Sequence, residues 1–161
     1  ALMIDERLDV EVAYVAPFAT EAVARYDLPH GPDAEGLAQL GTAREVPLIR
    51  DDAATVLVGY ARHLGGGGAK LHGETYVDSE RLFTGQTRGI RIEPTISEPG
   101  LRARVDSPIR IGRWINPWHT GRAAQTGGTN IVVEREGVLT PRELKRSTFY
   151  RHHVDLKLVL R

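Results

Sequence analysis

Arg113-Trp114-Ile115-Asn116-Pro117-Trp118-His119-Thr120-Gly121-Arg122 sets both tryptophans of the chain between two arginines. Indole faces stack on bases or sugars and guanidinium groups pair with phosphate, so this spacing can build a nucleic-acid platform. Tryptophan and arginine also dominate protein contacts, and a tryptophan in a long loop can pin that loop to a core or wall a small-ligand pocket. Arg113, Trp114, Trp118, His119 and Arg122 are therefore the candidate contact residues, for a protein interface or for nucleic acid.

Other short patterns offer chemistry and lose it on inspection. Gly65-Gly66-Gly67-Gly68 followed by Ala69-Lys70-Leu71 has the glycines of a phosphate loop, but such a loop needs glycine directly before the lysine and a hydroxyl after it. His72-Gly73-Glu74 has the spacing of a zinc deaminase, which also requires a cysteine pair. Asp155-Leu156-Lys157 matches half of a metal-dependent nuclease signature, in which Asp106 or Glu93 would be the second acid holding magnesium. Its plain alternative is a solvated strand face of alternating charge. A metal set drawn from His63, His72, His119 and His153 has no supporting spacing. His152 and His153, as neighbours on a strand, would face opposite sides. No catalytic residue, metal ligand or cofactor is assigned.

These residues need elements to position them. Leu8, Val10, Val12 and Tyr14 alternate as in a half-buried strand, and residues 19–26 suit a short helix. Residues 27–41 read as loop with a helical turn around Leu37 and Leu40, and residues 45–49 as a strand. Asp51 or Asp52 is placed to cap a helix over about 52–64 that buries Ala53, Leu57, Tyr60, Ala61 and Leu64. The flexible glycine segment 65–68 ends it. A strand over 69–77 and a helical turn at 79–84 follow, then strand patterns at Ile90/Ile92, Leu101/Ala103/Val105, Ile109/Ile111 and Ile131/Val133. Residues 116–130 read as a long loop. Thr140-Pro141-Arg142-Glu143 has the form of a capping box, which predicts a short helix over about 141–147. Val154, Leu156, Leu158 and Leu160 mark a last strand. The fold class expected is α+β, a predominantly antiparallel sheet or sandwich with those two helices, in a single domain over residues 1–161.

Charge divides the chain in half. Residues 1–80 carry fourteen acidic and six basic side chains, net −8, and residues 81–161 carry seven acidic and fifteen basic, net +8. Such a split suits copies that stack acidic face on basic face, or a basic half that meets an anion. The absence of cysteine excludes disulfides, thiolate nucleophiles and cysteine-ligated metals. No apolar run approaches the roughly 20 residues of a membrane helix, and the first residues lack a signal peptide's form. The expectation is a soluble, cytoplasmic or particle-associated protein that does not engage the membrane. Its functional counterpart is a non-enzymatic structural subunit of a ring, shell or virion-like particle, forming homo-oligomers or a multi-subunit assembly through complementary surfaces. A nucleic-acid-binding module built on the basic half is the first alternative, and a metal-dependent nuclease or other hydrolase the second.

Overall fold

Alternating burial, the signature of pleated strands, governs most of the chain. The computed structural model describes residue 6, residues 8–106 and residues 116–161. Within them, helices α1 (Glu21–Arg25) and α2 (Pro32–Leu40) precede β1 (Thr42–Val46), β2 (Ile49–Asp51), β3 (Val56–Leu57), β4 (Ala61–Gly65) and β5 (Leu71–Val77). Then come β6 (Glu80–Thr87), β7 (Gly89–Pro94), β8 (Leu101–Val105), β9 (His119–Gly121), β10 (Ala123–Arg135), β11 (Val138–Arg151) and β12 (Leu156–Leu160). Strands pair antiparallel throughout these elements, so the expected α+β class with a mostly antiparallel sheet holds.

The small sheet joins β1 to β12, and Val12 adds a parallel bridge to Leu158. The large sheet runs β3-β2-β11-β10-β4-β7-β8-β9, with β5 on a second stretch of β10 and β6 beyond β5. β10 changes partner along its length. Its residues 124–129 pair with β5 and residues 131–135 with β4, and Asn130 turns between them at φ 52°. Ile49, Ile90, Ile92, Leu101, Ile131 and Phe149 belong to the core of the large sheet. Val23, Tyr26, Leu28, Val46 and Leu158 form a second cluster beneath the helices. Each such apolar side chain contributes about 1.5–3 kcal/mol by leaving water.

Both expected helices are strands instead. Asp51 does cap backbone donors, since its Oδ1 accepts from the N–H groups of Ala53 and Thr55, each at 2.9 Å. Ala54 then takes φ 63°, which turns the chain back, and β-branched Val56 begins a strand. In β4, Ala61 and His63 are fully buried while Arg62 and Leu64 are partly exposed, a period of two. The predicted helix over 141–147 lies inside β11. Register there advances from Ile131↔Leu144 to Val133↔Thr140, so Pro141-Arg142-Glu143 forms a bulge where a missing N–H costs no ladder bond.

Three smaller expectations change as well. The 116–130 loop holds β9 and most of β10, and the helical turn at 79–84 is the start of β6. The expected first strand is reduced to the bridge at Val12. A short helix near 19–26 and strands over 69–77 and at the end of the chain are present as α1, β5 and β12, while the expected loop over 27–41, with its helical turn around Leu37 and Leu40, instead holds the nine-residue helix α2. Gly66–Gly68 forms a 3-10 turn between β4 and β5, with Gly67 and Gly68 at φ 62° and 77°. Ile109/Ile111, Arg113 and Trp114 lie outside the described residues.

Candidate functional site

A two-residue turn in the large sheet makes the floor of the site. Val77 pairs with Glu80, leaving Asp78-Ser79 as a two-residue connection from β5 to β6 with Asp78 at φ 52°. The Asp78 carboxylate accepts from the N–H of Arg122 at 2.9 and 3.1 Å and from that of Ala123 at 2.9 Å. Asp78 N–H in turn donates to the Ala123 carbonyl at 2.9 Å. The hairpin tip is thus clamped to the start of β10. Gly121 permits the approach, because a Cβ there would lie 2.5 Å from Val77 Cγ1 and 2.8 Å from Asp78 Oδ2.

Glu80 and His119 stand on the rim of this clamp. Glu80 Oε1 lies 3.4 Å from His119 Nδ1, and the Glu80 side chain is 72% exposed. A solvent-facing carboxylate held beside an imidazole can take up or release a proton. From the clamp the backbone leads into a hollow, since Arg151 N–H donates to the Arg122 carbonyl at 2.7 Å. The hollow measures about 490 Å3 and is lined by Glu98, Pro99, Arg122, Arg151, His152 and His153. Arg151 is held in place by a two-nitrogen contact to Asp155 at 3.1 and 3.0 Å on Oδ1, and by Glu98 at 2.7 Å. Those bonds hold the Glu98 carboxyl below its ordinary range and push Arg151 up. Glu98 is 79% exposed, so an arriving anion can replace it on Arg151.

His152 and His153 depart from the strand expectation. β11 ends at Arg151, and beyond it the two rings lie 4.2 Å apart and both face the hollow, His152 buried and His153 exposed. Trp118 is held by β8, where the Arg102 and Arg104 guanidinium groups reach its ring at 4.3 and 4.4 Å. Of the candidate contact residues, Trp118, His119 and Arg122 therefore share one edge of the sheet.

The nuclease constellation is taken apart. Asp106 binds Arg62 at 2.6 Å, Asp155 binds Arg151 at 2.8 Å, and Lys157 pairs with Asp9. Glu93 is buried among Arg25, Arg91 and Arg102 at 2.7–2.8 Å. His63 is in the core, away from the surface histidines, and no three His, Asp or Glu side chains among the described residues gather as a metal site. Ion pairs cross between the two halves. Arg91 reaches Glu21, Arg135 reaches Asp51 and Lys157 reaches Asp9, each joining the basic half to the acidic half.

The sequence matches no protein-family model and no curated protein. Its fold does have relatives. An NAD kinase from Archaeoglobus fulgidus, in a crystal structure with ATP, superposes with a TM-score of 0.54 at 11% identity, over 74% of this chain and 55% of that one. A diacylglycerol kinase from Bacillus anthracis str. Sterne superposes with a TM-score of 0.64 at 8% identity, over 96% of this chain and 69% of that one. The chain folds like part of a kinase. It spans only about half of the NAD kinase and about two thirds of the diacylglycerol kinase. This likeness overturns the expected non-enzymatic structural, virion-like subunit, because the fold is one that carries enzymes in both neighbours.

Asp78, Glu80 and Arg151 were not among the candidate residues drawn from the sequence. A signal for the first two was present, since Asp-Ser between two alternating runs marks a tight hairpin turn. Arg151 had none, because its role depends on β2, β11 and the 152–155 connection meeting at one place. Among the described residues, no helix is long and apolar enough to cross a membrane.

Proposed function

We propose that this chain is the β-rich portion of a kinase that moves a phosphoryl group from a nucleoside triphosphate to a hydroxyl. The fold shared with an NAD kinase and a diacylglycerol kinase carries the reading. The site is consistent with it in kind. Phosphoryl transfer asks a protein mainly for positioning, positive charge around the phosphates, and a group that receives the hydroxyl proton. Arg122 and the hollow it lines supply positive charge, and Glu80, paired with His119 on the Asp78 hairpin, is an exposed carboxylate on the same edge of the sheet. In the step, the acceptor oxygen forms a bond to the γ-phosphorus while the bridging bond to the β-phosphate breaks. The nucleoside diphosphate leaves, and the hydroxyl proton passes to Glu80. Among the described residues, no three His, Asp or Glu side chains gather as a metal site.

The test is transfer of labelled γ-phosphate from ATP to NAD and to diacylglycerol in mixed micelles, using the full-length protein. Transfer to either acceptor is expected, falling about 100- to 10,000-fold in Glu80→Gln with KM nearly unchanged. No transfer to any hydroxyl acceptor would overturn the kinase reading. Full activity in Glu80→Gln would remove Glu80 from it.

A further inference from the structure

β11 leaves the sheet's protection along most of its length. Residues 138–143 and 145–146 are exposed, Leu144 is half-buried, and β2 covers the outer edge only at residues 149–151. The hairpin tip is Glu136-Gly137, at φ 49° and 81°, with Val138 71% and Leu139 51% exposed directly after it. Val58, 39% exposed, is held beside the tip because Glu136 Oε1 accepts from Gly59 N–H at 2.6 Å and from Tyr60 N–H at 3.2 Å. Behind this apolar end the same strand carries Arg142, Lys145 and Arg146, none of which forms an ion pair among the described residues. Of the nearby acids, Asp51 is engaged with Arg135 and Asp52 with Thr148 N–H at 3.1 Å, while Glu143, exposed on the same strand, forms no ion pair among the described residues and leaves the stretch with a net positive charge.

Charged residues and a proline alone would serve to keep a bare edge from pairing with another chain. Exposed Val138, Leu139 and Val58 do the opposite, since they raise the cost of leaving that edge in water. An apolar tip followed by unpaired cations matches one surface in chemistry, the interface of an anionic bilayer, where apolar side chains sink among the acyl chains and guanidinium and ammonium groups meet phosphates. A nucleic acid would use the cations and leave the tip bare.

We propose that the β10–β11 hairpin is a peripheral contact for an anionic lipid surface, with Val138, Leu139 and Val58 entering the interface and Arg142, Lys145 and Arg146 on the headgroups. The proposal stands apart from the kinase reading and needs no helix to span the bilayer. Co-sedimentation with phosphatidylcholine vesicles, with and without phosphatidylserine, tests it on the intact protein. Binding is expected only with phosphatidylserine, and it weakens as salt rises. Removing all three cations as Arg142→Gln, Lys145→Gln and Arg146→Gln lowers binding about 100-fold, at about fivefold each. Val138→Ser with Leu139→Ser lowers it severalfold at unchanged circular dichroism. Absence of binding to phosphatidylserine vesicles overturns the proposal. So does salt-sensitive binding indifferent to the Val138 and Leu139 changes, which would mark a general polyanion surface such as one for nucleic acid.

Discussion

His63 shows how far burial alone can move a single group. Its ring is fully buried, stacked on Phe149 at a centroid distance of 5.6 Å, and Nδ1 lies 2.6 Å from Thr126 Oγ1, which meets Thr75 Oγ1 at 2.9 Å. No carboxylate offsets the loss of water, so the imidazole is pushed down from 6.5 to about 3. The unfolded chain takes up this proton below about pH 6.5 and the folded chain only near pH 3, so the stability linked to His63 is full above 6.5 and declines as pH falls between those values. The stability advantage of the parent over His63→Gln is expected to narrow by about 1.4 kcal/mol for each pH unit below the unfolded value. Urea unfolding from neutral to mildly acidic pH measures it, and a constant gap would mean that His63 does not resist protonation. Gly121 is the second residue whose identity is imposed. Gly121→Ala is expected to push the Asp78 turn off β10 and destabilise the protein by about 1–3 kcal/mol, read as a lowered thermal midpoint.

Elements were legible where one period fitted alone, and illegible where two fitted at once. The last strand could be read because Leu156, Leu158 and Leu160 alternate and no helical face competes. Leu57, Tyr60, Ala61 and Leu64 suit a helical stripe, yet Ala61 and His63 are what the sheet buries, and β10 on one side with β7 on the other decides between them. Nothing local reveals those partners. The capping box at Thr140 fails for a related reason: opposite Ile131 and Val133 the strand must absorb two additional residues, and proline is accommodated in the bulge. The candidate site was half legible. Trp118, His119 and Arg122 lie on its edge, but Asp78 and Glu80 join them only through a hairpin that pairs residues 72–77 with β10. Asp78→Ala is expected to remove three hydrogen bonds to the Arg122 and Ala123 N–H groups and cost about 1–3 kcal/mol. Hydrogen exchange at those two amides reports it, and unchanged protection there would mean the clamp is not set by this carboxylate.

At the scale of the molecule, one buried carboxylate fastens helix α1 to the large sheet. Glu93 is 3% exposed and receives Arg25 from α1, Arg91 from its own strand and Arg102 from β8. Burial pushes its carboxyl up, but the bonds from Arg91 and Arg102 outweigh that and hold it below the usual range. Glu93→Gln leaves three guanidinium groups short of their counter-charge and is expected to destabilise the fold by about 3 kcal/mol. Faster proteolysis near α1 would accompany it; parent-like stability would show that Arg25 finds other company. The partner change along β10 bears on how the chain is made. During synthesis β4 can already join β7 and β5 can already join β6, but each of β4 and β5 offers an open rim until β10 leaves the ribosome. A polypeptide stopped before residue 123 would therefore carry two incomplete half-sheets that invite other strands, and a nascent chain paused there is the point at which a cell would need a chaperone most.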